Sequence, residues 1–194
     1  MDTAVNWAKI GEAVEWYKSI GYEYLEVPWI VGDEAYKGTA PPWVEDYKTL
    51  GGNLVASGEQ SFMQMLAEGK KIGKAVCCTP CFRADGNDEY HKQYFVKVEL
   101  INTDVTDENL KSMIWDARYF LESRYPLFNC GLVKFFDGTY DLTGMVLGTE
   151  LGSYGIREWQ GHKWIYGTGL AEPRASQVQL EEAAHYDAQV SEKE

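Results

Sequence analysis

The sequence contains no apolar run approaching the roughly 18 residues that mark a membrane-spanning helix. Residues 1–30 also lack the basic stretch followed by an apolar stretch that is typical of a secretory signal. These two absences disfavour membrane and secreted classes and lead us to expect a cytoplasmic protein. In that compartment the cysteines are expected to stay reduced.

Cysteine is scarce, and the four residues of this type are Cys77, Cys78, Cys81 and Cys130. Cys78 and Cys81 form a C-x-x-C pair, but a second pair at the spacing of a zinc site is missing. Alternating strand positions explain the cysteines as small buried side chains. We therefore expect them to serve packing.

Basic residues are outnumbered, with 18 Lys and Arg against 30 Asp and Glu and a net charge of −12. An acidic surface repels phosphate backbones, which disfavours broad nucleic-acid binding but does not exclude a local basic patch. A hydrophobic content of 45% over 194 residues is enough for one sizeable core, so we predict a single domain. From about residue 179 we predict an acidic helical tail whose solvated face carries Glu181, Glu182, Asp187, Glu192 and Glu194.

The middle of the chain has the pattern of an antiparallel hairpin. Residues 76–83 and 93–101 are rich in β-branched and aromatic side chains, and the segment between them has loop composition. Successive strand side chains point to opposite faces, which predicts an apolar face toward the core. That face comprises Tyr94, Val96, Val98 and Leu100, and the polar face comprises His91, Gln93, Phe95, Lys97 and Glu99.

The polar face of this hairpin suits a nucleotide. Arg83 joins it if the first strand presents its odd-numbered residues on the same side. Phe95 could then stack on a base while Arg83 and His91 neutralise phosphates. A solvated amphipathic hairpin is the alternative, and the pattern alone does not separate the two.

The same residues resemble a motif. Phe82-Arg83-x-Asp85, a loop and then His91-x-x-x-Phe95-x-x-x-Glu99 resemble motif 2 of the class II aminoacyl-tRNA synthetases. That motif runs Phe-Arg-x-Glu, a loop, then His or Arg-x-x-x-Phe-x-x-x-Asp or Glu. Asp85 replaces the usual glutamate and is one methylene shorter, which would weaken adenine recognition.

Residues 5–30 resemble motif 1 of that family. Residues 5–20 have helical apolar spacing, Gly21 suits a helix end, and residues 22–30 alternate as a strand that closes on Pro28. Motif 1 builds the dimer interface in the family, so the resemblance implies a homodimer. Residues 32–52 follow and are predicted to be a surface loop, because they contain two prolines and several glycines.

A short strand at residues 54–56 and a helix at residues 59–68 are predicted next, with Ser57 or Gly58 near the cap. Glu59 resembles the glutamate that binds the substrate amine in seryl-type members. A helix N-terminal acid favoured by the helix dipole is the alternative. Gln60 and Gln64, one turn apart, are expected to line the substrate pocket.

After an amphipathic packing helix at residues 107–125, a glycine-rich stretch carries Glu150, Ser153 and Arg157. Glycines allow close backbone approach to a ligand, and a carboxylate with a hydroxyl three residues on can share a hard cation. The stretch resembles the strand before motif 3, which implies that Glu150 and Ser153 bind ATP-bound Mg²⁺. Arg157 resembles a substrate-holding arginine of aspartyl-type members, and a salt bridge between Glu150 and Arg157 is the alternative.

Residues 166–174, YGTGLAEPR, resemble motif 3, which runs Gly-x-Gly-x-Gly-x-acid-Arg. Ala171 stands at the third glycine, and Pro173 stands where an acid is common, with Glu172 shifted by one place. Arg174 precedes a predicted helix and would meet a terminal phosphate, aided by the helix dipole.

The three motifs occur in family order over nearly the whole chain. The resemblance implies an α+β fold with an antiparallel sheet flanked by helices. It also implies ATP-dependent formation of an aminoacyl-adenylate, with ATP and Mg²⁺ as cofactors and Arg83 and Arg174 as catalytic residues. The implied ATP site comprises Arg83, Asp85, His91, Phe95, Glu150, Ser153 and Arg174. The implied substrate site comprises Glu59, Gln64, Glu99 and Arg157.

We expect no separate tRNA-binding arms, and the acidity disfavours tRNA, so the predicted acceptor is a small molecule or a protein. Two alternatives stay open. One is a minimal tRNA synthetase core, and the other is a non-catalytic paralogue that binds an amino acid or a partner protein. The presence of Arg83, Phe95, Glu150 and Arg174 together favours catalysis. The sequence specifies neither the amino acid nor the acceptor.

Overall fold

The computed structural model describes residues 4–40, 45–84, 91–125 and 129–191. The helices are α1 (Trp7–Ser19), α2 (Asp33–Lys37), α3 (Gly58–Ala67), α4 (Asp107–Arg124) and α5 (Arg174–Ser191). The strands are β1 (Glu23–Tyr24), β2 (Ile30–Val31), β3 (Lys48–Thr49), β4 (Gly52–Leu54), β5 (Lys74–Phe82), β6 (Tyr94–Asn102), β7 (Cys130–Lys134), β8 (Tyr140–Gly144), β9 (Glu150–Trp159) and β10 (His162–Glu172).

A seven-stranded sheet with the order β1-β5-β6-β10-β9-β8-β7 organises the chain. All neighbouring strands in it run antiparallel except β1 and β5, which are parallel. A smaller sheet has the order β2-β4-β3. The predicted α+β fold, an antiparallel sheet flanked by helices, is confirmed.

The helices begin and end where local chemistry places them. The side chain of Asn6 accepts a hydrogen bond from the Lys9 amide at 3.2 Å at the start of α1, and Gly21 follows the helix with a φ of 92°. Glycine adopts that left-handed conformation without a Cβ clash. At α4 the Thr106 hydroxyl accepts from the Asn109 amide at 3.1 Å.

Apolar side chains pack on both faces of the large sheet. On one face, Val96, Val98 and Leu100 pack with α1 and α4. On the other face, Ile101 and Cys77 pack with α3 and the small sheet. The predicted core face of the hairpin is therefore confirmed except for Tyr94, which is 70% exposed at the beginning of β6. The predicted burial of Cys77, Cys81 and Cys130 is also confirmed, while Cys78 is half-buried.

Two predicted segments differ from the structure. The strand expected at residues 22–30 is divided between β1 and β2, because Pro28 has no amide proton for a ladder and its carbonyl accepts the Ser61 hydroxyl at 2.6 Å. The loop expected at residues 32–52 contains α2 and β3 and begins β4. Residues 41–44 lie outside the described residues.

The acidic tail also differs from its prediction at one position. Helix α5 extends through the predicted region, but Glu182 is only 3% exposed and its carboxylate accepts the Val146 amide at 3.2 Å. Glu182 therefore fixes α5 to the turn after β8. Glu192 and Glu194 lie outside the described part of the chain. Across the described residues, no helix is long and apolar enough to cross a membrane.

Candidate functional site

Two adjoining cavities lie on the α3 side of the large sheet. The first has a volume of about 110 Å³, and the second has a volume of about 310 Å³. Arg83, Lys97, Glu150 and Thr168 line both cavities and form what we call the junction.

The two cavities lie end to end along strands β6 and β10. Along β6, Phe95 lines the first cavity, Lys97 lines both, and Glu99 lines the second. Strand β10 runs in the opposite direction, so the order there is Ala171, Thr168 and then Tyr166 along the same axis. Alternating side chains of one sheet face thus supply a continuous floor for both cavities.

Two β-bulges align residues that simple alternation would separate. The β10–β6 register shifts between Thr168 and Leu170, and the β8–β9 register shifts so that Leu142 is opposite Gly152 and Thr143 opposite Glu150. An extra residue in a strand moves the side chains that follow it to the opposite face of the sheet from the one that alternation predicts. Glu150 and Ser153, three residues apart, consequently both line the second cavity.

Arg83 is held at the junction by the backbone around it. Its amide donates to the Gln93 carbonyl at 2.9 Å, and its Nε donates to the Ala56 carbonyl at 3.2 Å. Its guanidinium lies 5.0 Å from the centre of the Phe95 ring. These contacts fix a cation beside an aromatic ring, as expected from the hairpin pattern.

The first cavity concentrates positive charge in an acidic protein. Arg83, Lys92, Lys97 and Arg174 line it together with His91. Arg174 begins α5, where helix amides and the helix dipole favour anions. Its Nη1 atom is 3.7 Å from Glu150 Oε1, which pairs Glu150 with Arg174 and not with Arg157. This cavity is suited to an anionic group such as a phosphate chain.

Glu172, the displaced acid of the motif 3 resemblance, is fully buried. One carboxylate oxygen accepts from the Tyr125 hydroxyl at 2.6 Å and from the Ser176 hydroxyl at 2.8 Å. Burial raises the pKa of Glu172, while these hydrogen bonds oppose the rise. These bonds attach the segment before Arg174 to Tyr125, which follows α4, and to α5.

The glycines of the motif stretches accommodate neighbouring aromatic rings. A Cβ added at Gly169 would lie 2.7 Å from the Tyr17 ring, and one at Gly167 would lie 2.7 Å from the Tyr154 ring. The Tyr17 hydroxyl donates to the Gly169 carbonyl at 2.9 Å. The structure thus gives these glycines a packing role behind the site.

Glu59 is a buried carboxylate that forms an ion pair at the second cavity. It is 6% exposed, its Oε1 accepts from the Trp164 indole at 2.8 Å, and its Oε2 accepts from Arg157 Nη1. Burial raises the pKa of the Glu59 carboxyl, and the Arg157 guanidinium and the Trp164 N–H oppose that rise. Because both carboxylate oxygens have partners, neither interpretation drawn from the sequence describes Glu59 fully.

Glu99 occupies the middle of the second cavity wall and is 4% exposed. Its Oε1 accepts from the Ser57 hydroxyl and pairs with Lys97 Nζ at 2.8 Å. No hydrogen bond from the described residues reaches its Oε2. Gly58 permits this arrangement, because a Cβ there would lie 2.8 Å from Glu99 Cγ.

One predicted site residue, Gln64, lines neither cavity. Gln64 accepts from the Gly32 amide at 3.2 Å and donates to Glu68 at 2.9 Å, so it lies on the outer side of α3. Gln60 does line the second cavity, where it accepts from the Ala56 amide at 2.8 Å and donates to the Tyr36 carbonyl at 3.0 Å. Asp85, predicted to contact adenine, lies outside the described residues.

Asp141 is a neighbour of the expected metal site that sequence reasoning missed. It is directly opposite Ser153 in the β8–β9 register. Burial raises the pKa of Asp141, a hydrogen bond with Ser153 opposes the rise, and the Glu150 charge adds to it. The described residues contain no group of three or more His, Cys, Asp or Glu side chains that could hold a metal.

Lys97 is the other residue that the sequence pattern did not identify as functional. The alternation of β6 placed it on the polar face, but only the junction shows that it contacts both cavities.

No protein-family model matches this sequence, and no curated protein matches it. Solved structures are similar to it. A crystal structure of the cytoplasmic serine-tRNA ligase of Naegleria fowleri in complex with AMP has a TM-score of 0.67 and 18% identity, covering 90% of this chain and 52% of that chain. A structure of PylSc, a pyrrolysyl tRNA synthetase of Desulfitobacterium hafniense, has a TM-score of 0.71 and 15% identity, covering 91% of this chain and 68% of that chain.

This chain therefore spans about half the length of the Naegleria fowleri protein. It has the fold of class II synthetase catalytic domains, as the motif resemblance predicted.

Proposed function

We propose that this protein uses ATP to activate the carboxylate of an amino acid as an aminoacyl-adenylate and then transfers the aminoacyl group to an acceptor other than tRNA. The observation that carries the proposal is the junction, where Arg83 and Glu150 line a cationic cavity and a polar cavity at once. A reaction between two bound substrates requires their reacting atoms to be adjacent, and the junction is the place where that can happen.

The nucleotide would occupy the first cavity. Its base would stack on Phe95, and its phosphates would lie among His91 and Arg174. The carboxylate oxygen of the amino acid would attack the α-phosphorus from the second cavity as the bond to pyrophosphate breaks. No general base is required, because the carboxylate is already ionised at neutral pH. Arg83 would stabilise the charge that develops on the α-phosphate.

Mg²⁺ would arrive with ATP and be held by Glu150 and Ser153, with Asp141 beside them. When bound, this cation neutralises the charge of the leaving pyrophosphate. Glu150 in turn orients Arg174, whose guanidinium lies 3.7 Å from its carboxylate.

The substrate amine would bind Glu99 in preference to Glu59. Both oxygens of Glu59 have partners, whereas Glu99 Oε2 receives no hydrogen bond from the described residues. Arg157 would line the distal part of the pocket, where its guanidinium lies 4.1 Å from the centre of the Tyr166 ring.

Assembly and acceptor follow from the same proposal. A homodimer would use residues 7–30, where Trp7 at the start of α1 is 67% exposed and Trp29 before β2 is 51% exposed. The acceptor would be a small molecule or a protein, because a net charge of −12 opposes binding of a tRNA backbone.

The test is amino-acid-dependent exchange between ATP and pyrophosphate, run over the common amino acids without RNA. Exchange with one amino acid supports adenylation and identifies the substrate. Absence of exchange together with absence of ATP binding would favour a non-catalytic paralogue. Exchange that appears only in a second run with added tRNA would favour a minimal synthetase core.

A further inference from the structure

We propose that Lys97 is a catalytic residue that binds the α-phosphate and stabilises it during transfer, and that Glu99 is the positioning residue that holds the Lys97 ammonium there. This inference rests on the proposed function and adds a residue to its reacting centre.

The position of Lys97 is the first observation. Lys97 lies in the middle of the cavity face of β6, two residues from Phe95 on one side and two residues from Glu99 on the other. Because side chains on one strand face repeat about every 6.6 Å, the Lys97 Cα is roughly that distance from each of these neighbours. Lys97 lines both cavities, whereas Phe95 and Glu99 each line one.

The way in which Lys97 is held is the second observation. Only 13% of its side chain is exposed, and its Nζ is 2.8 Å from Glu99 Oε1. Glu99 is itself held by the Ser57 hydroxyl. A lysine has rotatable bonds that normally let its ammonium move, so this pairing orients a flexible cation before the nucleotide binds. The ammonium has three donors, and the Glu99 contact leaves others for a phosphate oxygen.

A second fixed cation would further stabilise the charge that develops in the proposed step. As the carboxylate oxygen bonds to the α-phosphorus and the bond to pyrophosphate breaks, negative charge spreads over the α-phosphate oxygens. Arg83, held on the Ala56 carbonyl, can contact them from the β5 side. Lys97 can contact them from β6. No proton is transferred, so the ammonium acts as a fixed charge.

The competing explanation is that Lys97 only neutralises the buried Glu99 carboxylate. Binding of AMP and of adenosine separates the two explanations, because adenosine lacks the phosphate. We would measure both affinities by calorimetry for the wild type, Lys97→Met and Lys97→Arg. Lys74→Met is the matched control, because Lys74 also forms an ion pair, with Asp116, but lies outside both cavities.

We expect Lys97→Met to weaken AMP binding by about tenfold while adenosine binding stays unchanged, and Lys97→Arg to retain most of the affinity. In the exchange assay Lys97→Met should lower kcat more than it changes KM. Unchanged AMP affinity, or equal losses for AMP and adenosine, would overturn the assignment of Lys97 while leaving the proposed function intact. If the wild type binds neither compound, the proposed function itself fails. If Lys97→Met does not fold, Lys97→Gln keeps a donor to Glu99 and gives the same comparison.

Discussion

Removal of the Arg157 guanidinium should destabilise the protein, because Glu59 at the second cavity then loses its ion-pair partner. Glu59 is 6% exposed, and its partners are Arg157 and Trp164. In the Arg157→Met variant the carboxylate keeps the indole hydrogen bond but loses its counter-charge. Methionine keeps the first part of the arginine stem, but it removes the guanidinium together with its contact 4.1 Å from the centre of the Tyr166 ring.

The magnitude follows from the exposure of the two partners. Breaking a fully buried pair costs about 3–5 kcal/mol, because the remaining charge is left unpaired. Here 40% of the Arg157 side chain is exposed against 7% for Glu59, so water can replace part of the interaction. We therefore expect about 2 kcal/mol for Arg157→Met, or roughly 4–8 °C in Tm for a protein of this size.

The destabilisation caused by Arg157→Met should depend on pH. Burial already holds the pKa of Glu59 above its usual range, and loss of Arg157 should raise it further. A carboxyl whose pKa is higher in the folded state than in the unfolded state adds most to the free energy of unfolding at pH values below its unfolded-state pKa. That added stability is lost as the pH rises through the folded-state pKa. The destabilisation of Arg157→Met relative to wild type should therefore shrink as pH falls from 7 toward about 4.5.

The assay is urea unfolding of both proteins across that pH range. Arg118→Met is the matched control, because Arg118 also pairs with a glutamate and lies near an aromatic ring, but 33% of the Glu122 side chain is exposed against 7% for Glu59. It should change stability by less than about 1 kcal/mol with no such pH trend. A destabilisation of Arg157→Met that is absent, or constant with pH, would refute the reasoning about Glu59.

Three further predictions concern the site and its support. Arg83→Ala should abolish the rise in Tm that ATP gives the wild type, and a rise equal to wild type would remove Arg83 from the nucleotide site. Glu150→Gln should weaken ATP binding in the presence of Mg²⁺ more than in its absence, measured by calorimetry; an unaffected variant would leave Glu150 only its pairing with Arg174. Gly169→Ala should lower the free energy of unfolding by about 1–3 kcal/mol, because the methyl group would lie 2.7 Å from Tyr17. Gly73→Ala, which meets nothing within 4 Å, is its control, and equal effects would contradict the packing explanation.

The hairpin of β5 and β6 shows how much of the site alternation could predict. Arg83, Phe95 and Glu99 were placed on one face, and the structure brings all three to the adjoining cavities. Alternation succeeds here because the side-chain direction in a regular strand depends only on neighbours in the chain. It failed for Tyr94, which has the core parity but lies at the exposed beginning of the strand.

For helix α3, the local sequence predicted the start of the helix but not how far the pocket extends along it. Its beginning near Ser57 was predicted, and Glu59 was correctly placed in its first turn. The expectation that Gln60 and Gln64 share one pocket was not met, because the cavity reaches only the first turn of α3 and Gln64 contacts Gly32 instead. How far a cavity extends along a helix depends on the elements that enclose it.

The sequence by itself determined the order of the motifs, the alternating faces of the hairpin and the ends of the helices, because these depend on residues close together in the chain. Only the tertiary structure decided which charged groups are paired. Glu59 and Arg157 are 98 residues apart, and the two β-bulges that align Glu150 with Ser153 and Thr168 with Ala171 arise from pairing between strands. The choice of partner for a buried charge depends on which cations the fold brings near it, and local periodicity carries no information about that.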